Sequence, residues 1–453
     1  MNWQQLLVSL LLAGCASVPQ VEPVAGQANT SPQIIGARGP LSRQDTKALL
    51  ARMGVKAEDA DLLQTHLAIE REVAETPLVT GNDVRLLRNG DQTFAAMFAA
   101  IKSARHTINL EYYIFEDVKN GNLSLGDLLV AKRKGGVAIN IIYDGYGSAT
   151  TPKAFFDRLR DAGVQIVQFN PLNPLHAASF NHRDHRKILV IDGTTAIVGG
   201  VNLSVTYESA GIGHSVGPPA NHQGSRWRDT DMQIEGLAVA ELQKLFLQHW
   251  QEQNGPALKV AEYFPTLVAK GSEVLRIIGS APARGTPRYY ITMLSAIQNA
   301  DRNIFLSSAF FVPTRQEKRD LIDAAKRGVD VRLLLPSVSS SASSIEVQHS
   351  HYEDLLEAGV KIYECQHEIL HAKTVTVDGV WSVIGSSNFD HRSVLFNDEV
   401  DVVVVGRETA QELQAMFDDD IKSAKQITFA EWKKRPVLQD IKDHVSRFWE
   451  DML

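Results

Sequence analysis

Two stretches of this 453-residue chain pair a histidine with a lysine two residues later: His185-Arg186-Lys187 and His371-Ala372-Lys373. The match extends to Asp192 and Asp378, to Gly199 and Gly385, and to Asn202 and Asn388, every pair 186 positions apart. Composition does not produce five matched polar or glycine positions at one offset, so a pair of incidental buried histidines does not account for them. On a strand, residues i and i+2 share a face, so each lysine should stand beside its histidine. An ammonium there lowers the imidazole pKa and keeps the ring neutral and nucleophilic. The Gly-Gly-x-Asn and Gly-Ser-Ser-Asn ends add tight turns and carboxamides able to reach an oxyanion. If both copies serve one site, two His, two Lys and two Asn surround an anion whose charge grows in the transition state, as in a phosphodiester. One histidine then attacks phosphorus and the other protonates the leaving oxygen. Zinc is the rival reading for paired histidines. Each motif holds only one histidine, beside a cation, and no Cys-x-x-Cys occurs, so no metal and no cofactor is expected.

The elements that must position these residues also come twice. A strand at 83–87, a helix at 94–104, a β-rich run at 108–115, a helix at 127–134, a strand at 137–144, a helix at 156–162 and a strand at 164–169 precede the first motif. The grammar returns as E-V-L-R-I-I (273–278), A-I-Q-N-A (296–300), I-F-L-S-S-A-F-F (304–311), A-A-K-R-G-V-D-V-R-L-L-L (324–335) and L-L-E-A-G-V-K-I-Y (355–363). Alternating strands and helices predict an α/β fold. It is expected as two similar units, each a mixed sheet flanked by helices, packed face to face. Past the motifs, D-T-D-M-Q-I-E-G (229–236) answers E-V-D-V-V-V-V-G (399–406), which sets Asp229 opposite Glu399. The first copy carries 16 extra residues between its motif Asn and this carboxylate, including the Gly- and Pro-rich stretch 211–224. That stretch reads either as a lid or as a passive surface insertion.

The pattern H-x-K-x-x-x-x-D followed by G-G/S-x-N resembles the signature of the phospholipase D superfamily, in which two copies per chain are usual. T-G-N-D-V-R-L-L (80–87), L-E-Y-Y-I-F (110–115), R-D-H-R-K-I-L-V-I-D-G (183–193), W-R-D-T (227–230), L-H-A-K-T-V-T-V-D-G (370–379) and G-S-S-N-F-D-H-R-S (385–393) resemble its bacterial cardiolipin synthase branch. The resemblance runs from about residue 76 to the C-terminus and implies that the two halves meet at a pseudo-twofold axis with the motifs sharing one site. It implies a metal-free phosphatidyltransferase working through a phosphohistidine, with phosphatidylglycerol as substrate. It favours His185 as nucleophile and His371 as general acid, with the reverse assignment open. Lys187, Lys373, Asn202 and Asn388 would hold the phosphoryl oxygens. Asp229 and Glu399 would orient the imidazoles from behind. Asp192 and Asp378 are motif residues favoured for a structural role, and Glu111 is either a further supporting carboxylate or a core-edge acid. S-S-A-F-F (307–311) and the Ser-rich loop after Leu335 depart from relatives, which leaves the acceptor open. The rival readings are a hydrolytic phospholipase D, a nuclease or secreted effector, and a non-enzymatic lipid-binding module.

Bulk properties fit a folded two-unit protein: hydrophobic residues make up 44% and charged residues 22%. The net charge of −7 speaks against a long nucleic-acid partner. Residues 1–15 end in Leu12-Ala13-Gly14-Cys15 after an apolar run too short to span a bilayer. They resemble a lipoprotein signal whose Cys15 is lipidated, without the usual early Lys or Arg. Residues 16–40 read as a flexible tether and 41–75 as a helical segment. The repeats are expected at 76–255 and 256–453, the second closing with an amphipathic helix after Lys433-Lys434-Arg435. Ala16, where many inner-membrane lipoproteins carry aspartate, favours an outer-membrane, periplasm-facing anchor. Cys365 is expected to be a buried, inert thiol.

Overall fold

The computed structural model describes residues 34–52, 76–171, 181–208, 226–281, 287–339, 342–436 and 445. Cys15, the 211–224 stretch and the C-terminal amphipathic segment lie outside the described residues, as does 53–75 of the helical segment. No helix among the described residues is long and apolar enough to cross a membrane.

The chain opens with β1 (Ile34–Gly36), β2 (Gly39–Pro40) and α1 (Arg43–Arg52). The first repeat holds β3 (Leu78–Arg88), α2 (Asn89–Ser103), β4 (Thr107–Tyr112), a hairpin of β5 (Lys119–Asn120) and β6 (Leu123–Ser124), α3 (Leu125–Lys134) and β7 (Ala138–Asp144). It continues through α4 (Lys153–Asp161), β8 (Gln165–Phe169), β9 (Arg183–Asp184), β10 (Lys187–Ile191), β11 (Thr195–Gly199), β12 (Trp227–Arg228), β13 (Thr230–Gly236) and α5 (Val239–Glu252). The second repeat holds β14 (Glu273–Ser280), α6 (Arg288–Gln298), β15 (Asn303–Ser307), α7 (Arg315–Lys326), β16 (Asp330–Pro336), α8 (Ala342–Ser350), α9 (Tyr352–Glu357) and β17 (Lys361–Cys365). It ends with β18 (Ile369–Leu370), β19 (Thr374–Val377), β20 (Trp381–Gly385), α10 (His391–Leu395), β21 (Asn397–Val405), α11 (Arg407–Lys422), β22 (Lys425–Ile427) and α12 (Phe429–Trp432).

Within the first repeat the strands run β8-β7-β4-β10-β11-β13-β3, parallel among β8, β7 and β4 and antiparallel from there. The second runs β14-β21-β20-β19-β15-β16-β17, antiparallel as far as β15 and parallel from there. Antiparallel pairing of β3 with β14 joins the two into one mixed sheet. The order is its own mirror about that junction, as a duplicated unit meeting its copy requires. β11 and β13 also lie against β20 and β21. Between them sits a shared core of Ile188, Val190, Val198, Met232, Ile384, Val402 and Val404, drawn from both repeats. Each repeat has its own core besides. Phe94, Met97, Phe98 and Ile101, at helical spacing on α2, are buried in the first. Trp381 and Val383 of β20 are buried in the second.

The body begins before residue 40, where the tether was expected to end. Ile34, fully buried, pairs with Leu78 of β3, so 34–40 is part of the fold. Ile34 and Ile35 are β-branched residues presented to an open strand edge, which is enough to draw a short segment into the sheet.

Asp192 and Asp378 lie where β10 and β19 end, at the opposite end of each strand from the lysine, and not behind the histidines. Asp192 adopts φ +50° and its carboxylate accepts the backbone N–H groups of Arg105, His106 and Thr107 at 2.8 Å each. Asp378, at φ +54°, accepts those of Asp301, Arg302 and Asn303 at 2.7–3.0 Å. Each ties the β-turn after the motif strand to the neighbouring strand, a task for which a short carboxylate tolerant of left-handed backbone is suited. Asp192→Ala is expected to cost about 2 kcal/mol of stability through three orphaned amides. A thermal melt should show a drop of several degrees, with activity per folded molecule retained.

Candidate active site

His185 and His371 do not sit inside strands as the spacing predicts. Each stands just ahead of its motif strand, on a short run of chain that crosses to the other repeat. β9 pairs in parallel with the start of β21, and the His185 N–H donates to the Asp398 carbonyl at 2.8 Å. β12 pairs in parallel with β18, and the His371 N–H donates to the Arg228 carbonyl at 2.8 Å. These two crossings are copies of each other with the roles of the repeats exchanged.

The crossing decides which carboxylate serves which imidazole. Glu399, from the second repeat, puts Oε1 and Oε2 at 3.1 and 3.0 Å from His185 Nδ1. Asp229, from the first, puts Oδ2 at 2.7 Å from His371 Nδ1. Both carboxylates are fully buried, and both imidazoles keep only a narrow exposed edge. With Nδ1–H donated to a carboxylate, Nε2 of each ring carries the lone pair, which in His371 lies 3.2 Å from Lys373 Nζ. Asp229 is itself clamped by Asn89, whose N–H donates to the Asp229 carbonyl and whose Oδ1 accepts the Asp229 N–H. Burial opposes ionisation of both carboxyls, but the surrounding cations and hydrogen bonds outweigh it and hold both below the ordinary range.

Each lysine doubles back on its histidine. Lys187 Nζ donates to the His185 carbonyl at 2.5 Å and lies over the Tyr113 ring. Lys373 Nζ donates to the His371 carbonyl at 2.5 Å and comes within 2.9 Å of its Nδ1. Burial lowers His185 to about 4, with Lys187 and Lys373 adding to the effect against Glu399. Burial lowers His371 to about 3, with Lys373 and Lys187 adding to it against Asp229. Each lysine is felt at both histidines, so the four side chains share one space. Burial also brings Lys187 down to about 7 and Lys373 to about 8. The lysine charge is therefore conditional, where the sequence suggested a fixed one.

The two asparagines differ. Asn202 is buried, accepts the Ile114 N–H at 3.3 Å and hydrogen-bonds the Tyr207 phenol. It props the wall of the site and does not stand free for an oxyanion. Asn388, anchored by its own N–H on Ser393 Oγ, has a buried Oδ1 without a hydrogen-bond partner among the described residues. The motif glycines are needed for close approach: a Cβ at Gly199 would collide with Asp231 Oδ1, and one at Gly385 with Asp401 Oδ1. Asp231 accepts the Val201 N–H and Asp401 the Ser387 N–H, fixing both turns.

Behind His185 lies a buried charge network that the sequence does not announce. Glu111 accepts from His249 Nδ1 at 2.8 Å and Arg186 Nη1 at 3.3 Å. His182 Nε2 is 2.9 Å from Asp398 Oδ1. Burial, with Glu111 adding to it, pushes the Asp184 carboxyl well above its ordinary range despite Arg186. Glu111, Asp184 and His249 bring ligand atoms within 4.8 Å of one another. The Arg186 guanidinium already supplies the positive charge that this cluster needs, so it reads as a charge-balanced support. Behind His371 the signs are inverted, with Arg228 Nε donating to Asp420 Oδ2 at 2.8 Å and Arg88 to Asp420 Oδ1 at 2.6 Å. Three further residues went unnoticed in the sequence: Tyr207, Ser386 and Ser393. Tyr207 and Ser393 each follow a motif Asn by five positions, a signal that was available. Cys365 is free and buried, and burial raises its thiol pKa.

Such an arrangement suits displacement at an anionic tetrahedral centre. Each imidazole has its Nδ1 on a carboxylate that favours positive charge on it and keeps Nε2 for chemistry, and two lysines flank the space. A family model described as cardiolipin synthase, PLD-like domain, matches residues 97–209 and 293–421. The cardiolipin synthase of Geobacillus sp. (strain WCH70) is 35% identical over 390 residues, covering 85% of this chain and 76% of that protein. Cardiolipin synthase 1 of Bacillus cereus (strain ATCC 14579) is 30% identical over 431 residues, covering 91% of this chain and 82% of that protein. The crystal structure of a phosphatidylserine synthase from Haemophilus influenzae Rd KW20 shares the fold. Its TM-score is 0.63 at 11% identity, over 86% of this chain and all of that one. The conditional lysine charge gives a pH test. As pH rises from 7 to 9 the free site loses cations, and the KM for an anionic phosphodiester should rise about tenfold. The rate at saturation should fall less, because a bound anion raises both lysine pKa values.

Proposed function

Because the chain belongs to the phospholipase D superfamily, and is a phosphatidyltransferase of that kind close to the bacterial cardiolipin synthases, we propose that it makes cardiolipin from two molecules of phosphatidylglycerol. His185 Nε2 attacks the phosphorus of the first. With the anionic diester bound and Asp229 on Nδ1, His371 takes part in the form that also carries a proton on Nε2; the phosphorus–oxygen bond to the head-group glycerol breaks, His371 gives that oxygen the Nε2 proton, and free glycerol leaves. A primary hydroxyl of the second phosphatidylglycerol then gives its proton back to His371 and attacks the phosphatidyl-histidine. Cardiolipin leaves and His185 is restored. Lys187 and Lys373 balance the phosphoryl charge, and any contact from Asn202 or Asn388 to the phosphoryl oxygens would come from the Nδ2–H groups, which donate. No step calls for a metal.

The observation that carries this reading is the crossed bracing of the two histidines, Glu399 on His185 and Asp229 on His371. It makes a matched pair of proton-handling groups around one space, and it is what a two-step double displacement needs. His185→Ala and His371→Ala should each lower transfer by at least about a thousandfold. Expression in a cell lacking cardiolipin, followed by lipid chromatography, reads the product. Wild-type protein should restore cardiolipin and neither variant should. Phosphatidic acid without cardiolipin would show water to be the acceptor.

We also propose that the protein is held at the cell envelope, facing the periplasm, by lipid on Cys15, with the outer membrane favoured. The support is the Leu12-Ala13-Gly14-Cys15 sequence and the residue that follows it. Cys15→Ser should move the protein from the membrane pellet to the soluble fraction. Unchanged sedimentation of that variant would remove the anchor.

A further inference from the structure

The two histidine–carboxylate pairs are copies, yet what surrounds them is not. On His185, Nδ1 faces three acceptor oxygens: the two of Glu399, and the Ser386 carbonyl at 3.1 Å. On His371, Nδ1 faces one carboxylate oxygen of Asp229, the Lys373 ammonium and, at 2.8 Å, the phenol of Tyr207. The same phenol donates to Asp229 Oδ2 at 3.0 Å. Tyr207 is buried on the short turn after the motif, five residues past Asn202, and Asn202 bonds its oxygen. Its counterpart five residues past Asn388 is Ser393, whose hydroxyl donates to Glu399 Oε1 at 3.0 Å.

Side-chain lengths are exchanged between the two sites. The short carboxylate, Asp229, is met by a long donor, Tyr207. The long carboxylate, Glu399, is met by short donors, Ser393 and Ser386, the latter at 2.5 Å from Oε2. Gly200 stands where Ser386 does, and any side chain there would strike Asp229. Each combination fills the same distance between turn and imidazole, so the phenol is part of how Asp229 is held.

Resting on the phosphatidyltransferase reading above, we propose that Tyr207 is a positioning residue for His371: its phenol holds Asp229 against the ring and sets how readily His371 releases its proton to the leaving oxygen. A donor on Asp229 Oδ2 uses up part of the carboxylate's negative charge, so less remains to stabilise the protonated imidazole. The charged groups facing His371 are Asp229, Lys373 on its own strand lead, and Lys187 from β10. Two of the three disfavour its proton, and the phenol weakens the third. Glu399 also takes donors, from Ser386, Ser393 and Asn397, but no ammonium comes to His185 Nδ1 as Lys373 does to His371 Nδ1, so His185 is the better ring to carry phosphorus and positive charge. Tyr207 thereby divides labour between two histidines that the repeat alone would leave equivalent.

The test turns on the leaving group. Glycerol needs a proton to depart, whereas p-nitrophenolate does not. Tyr207→Phe should slow glycerol release from phosphatidylglycerol by about tenfold or more. It should slow p-nitrophenol release from bis(p-nitrophenyl) phosphate by less than about threefold, and the alkaline limb of the phosphatidylglycerol profile should move to higher pH. Ser393→Ala, acting through the nucleophile's carboxylate, should slow both substrates alike. Equal losses on both substrates in Tyr207→Phe, or none on either, would overturn the proposal. If Tyr207→Phe fails to fold, 3-fluorotyrosine at position 207 keeps the shape and strengthens the donor. The alkaline limb should then move to lower pH, and an unmoved limb would count against the proposal. Absence of glycerol release by the wild-type protein would instead overturn the phosphatidyltransferase reading, which keeps the two failures apart.

Discussion

An imidazole taken into a protein interior loses its affinity for a proton unless an anion is brought in with it. Here that anion comes from the other repeat. Glu399 reaches His185 and Asp229 reaches His371, each at the end of a strand that has crossed between halves. Neither repeat alone could build a working histidine, because each holds the other's carboxylate. This explains why strand pairing joins the halves at three places: the β3–β14 edge, the β9–β21 crossing and the β12–β18 crossing. A hydrophobic interface alone would tolerate small slips. Carboxylates within 2.7–3.1 Å of an imidazole do not, and backbone pairing next to each histidine fixes the register.

Concentrating so much charge in a dry space carries a penalty that must be offset locally. Removing one partner of a buried pair costs about 3–5 kcal/mol, because the other is left uncompensated. The site answers with balance in layers. Lysines sit against the motif carbonyls, carboxylates against imidazoles, and behind these a network of opposite character on each side. Acids dominate behind His185, through Glu111, Asp184 and Asp398 with Arg186 and His249. Behind His371 the arginines Arg88 and Arg228 meet Asp420. A phosphodiester held between the two lysines would add an anion beside them and favour their charged forms, against the burial that lowers both in the free site.

The repeat made much of this readable in advance. Strand and helix periodicity placed α2, β4, β7 and their counterparts within a few residues, because each buries a face with an unambiguous period. Matching Gly236 with Gly406 sets Asp229 opposite Glu399 from the sequence alone. Periodicity does not show the crossing, since one sequence aligned on its own copy says which residues correspond and not which ones touch. Asp192 and Asp378, motif residues favoured for a structural role, close turns at the far ends of β10 and β19. The contacts of Asn202 with Ile114 and Tyr207 are equally invisible to alignment. Arg186, His249 and Asp398 look like ordinary charged residues in the sequence. Their importance comes from burial, which depends on what packs over them.

Duplication brings a chemical problem along with its economy. Two identical histidine sites facing one phosphorus would compete for both roles, and a double displacement needs one ring to bind phosphorus while the other shuttles a proton. The protein keeps the shared frame of His, Lys and carboxylate and differs just behind it, where changes of one side chain are tolerated. Aspartate replaces glutamate, Tyr207 replaces a serine, Gly200 replaces a serine, and the sign of the outer pair is reversed between Arg228–Asp420 and Asp398–His249. Each change alters the field at one imidazole while the backbone that positions both remains common. Symmetry therefore supplies the geometry of the site, and small departures from it supply the direction of the reaction.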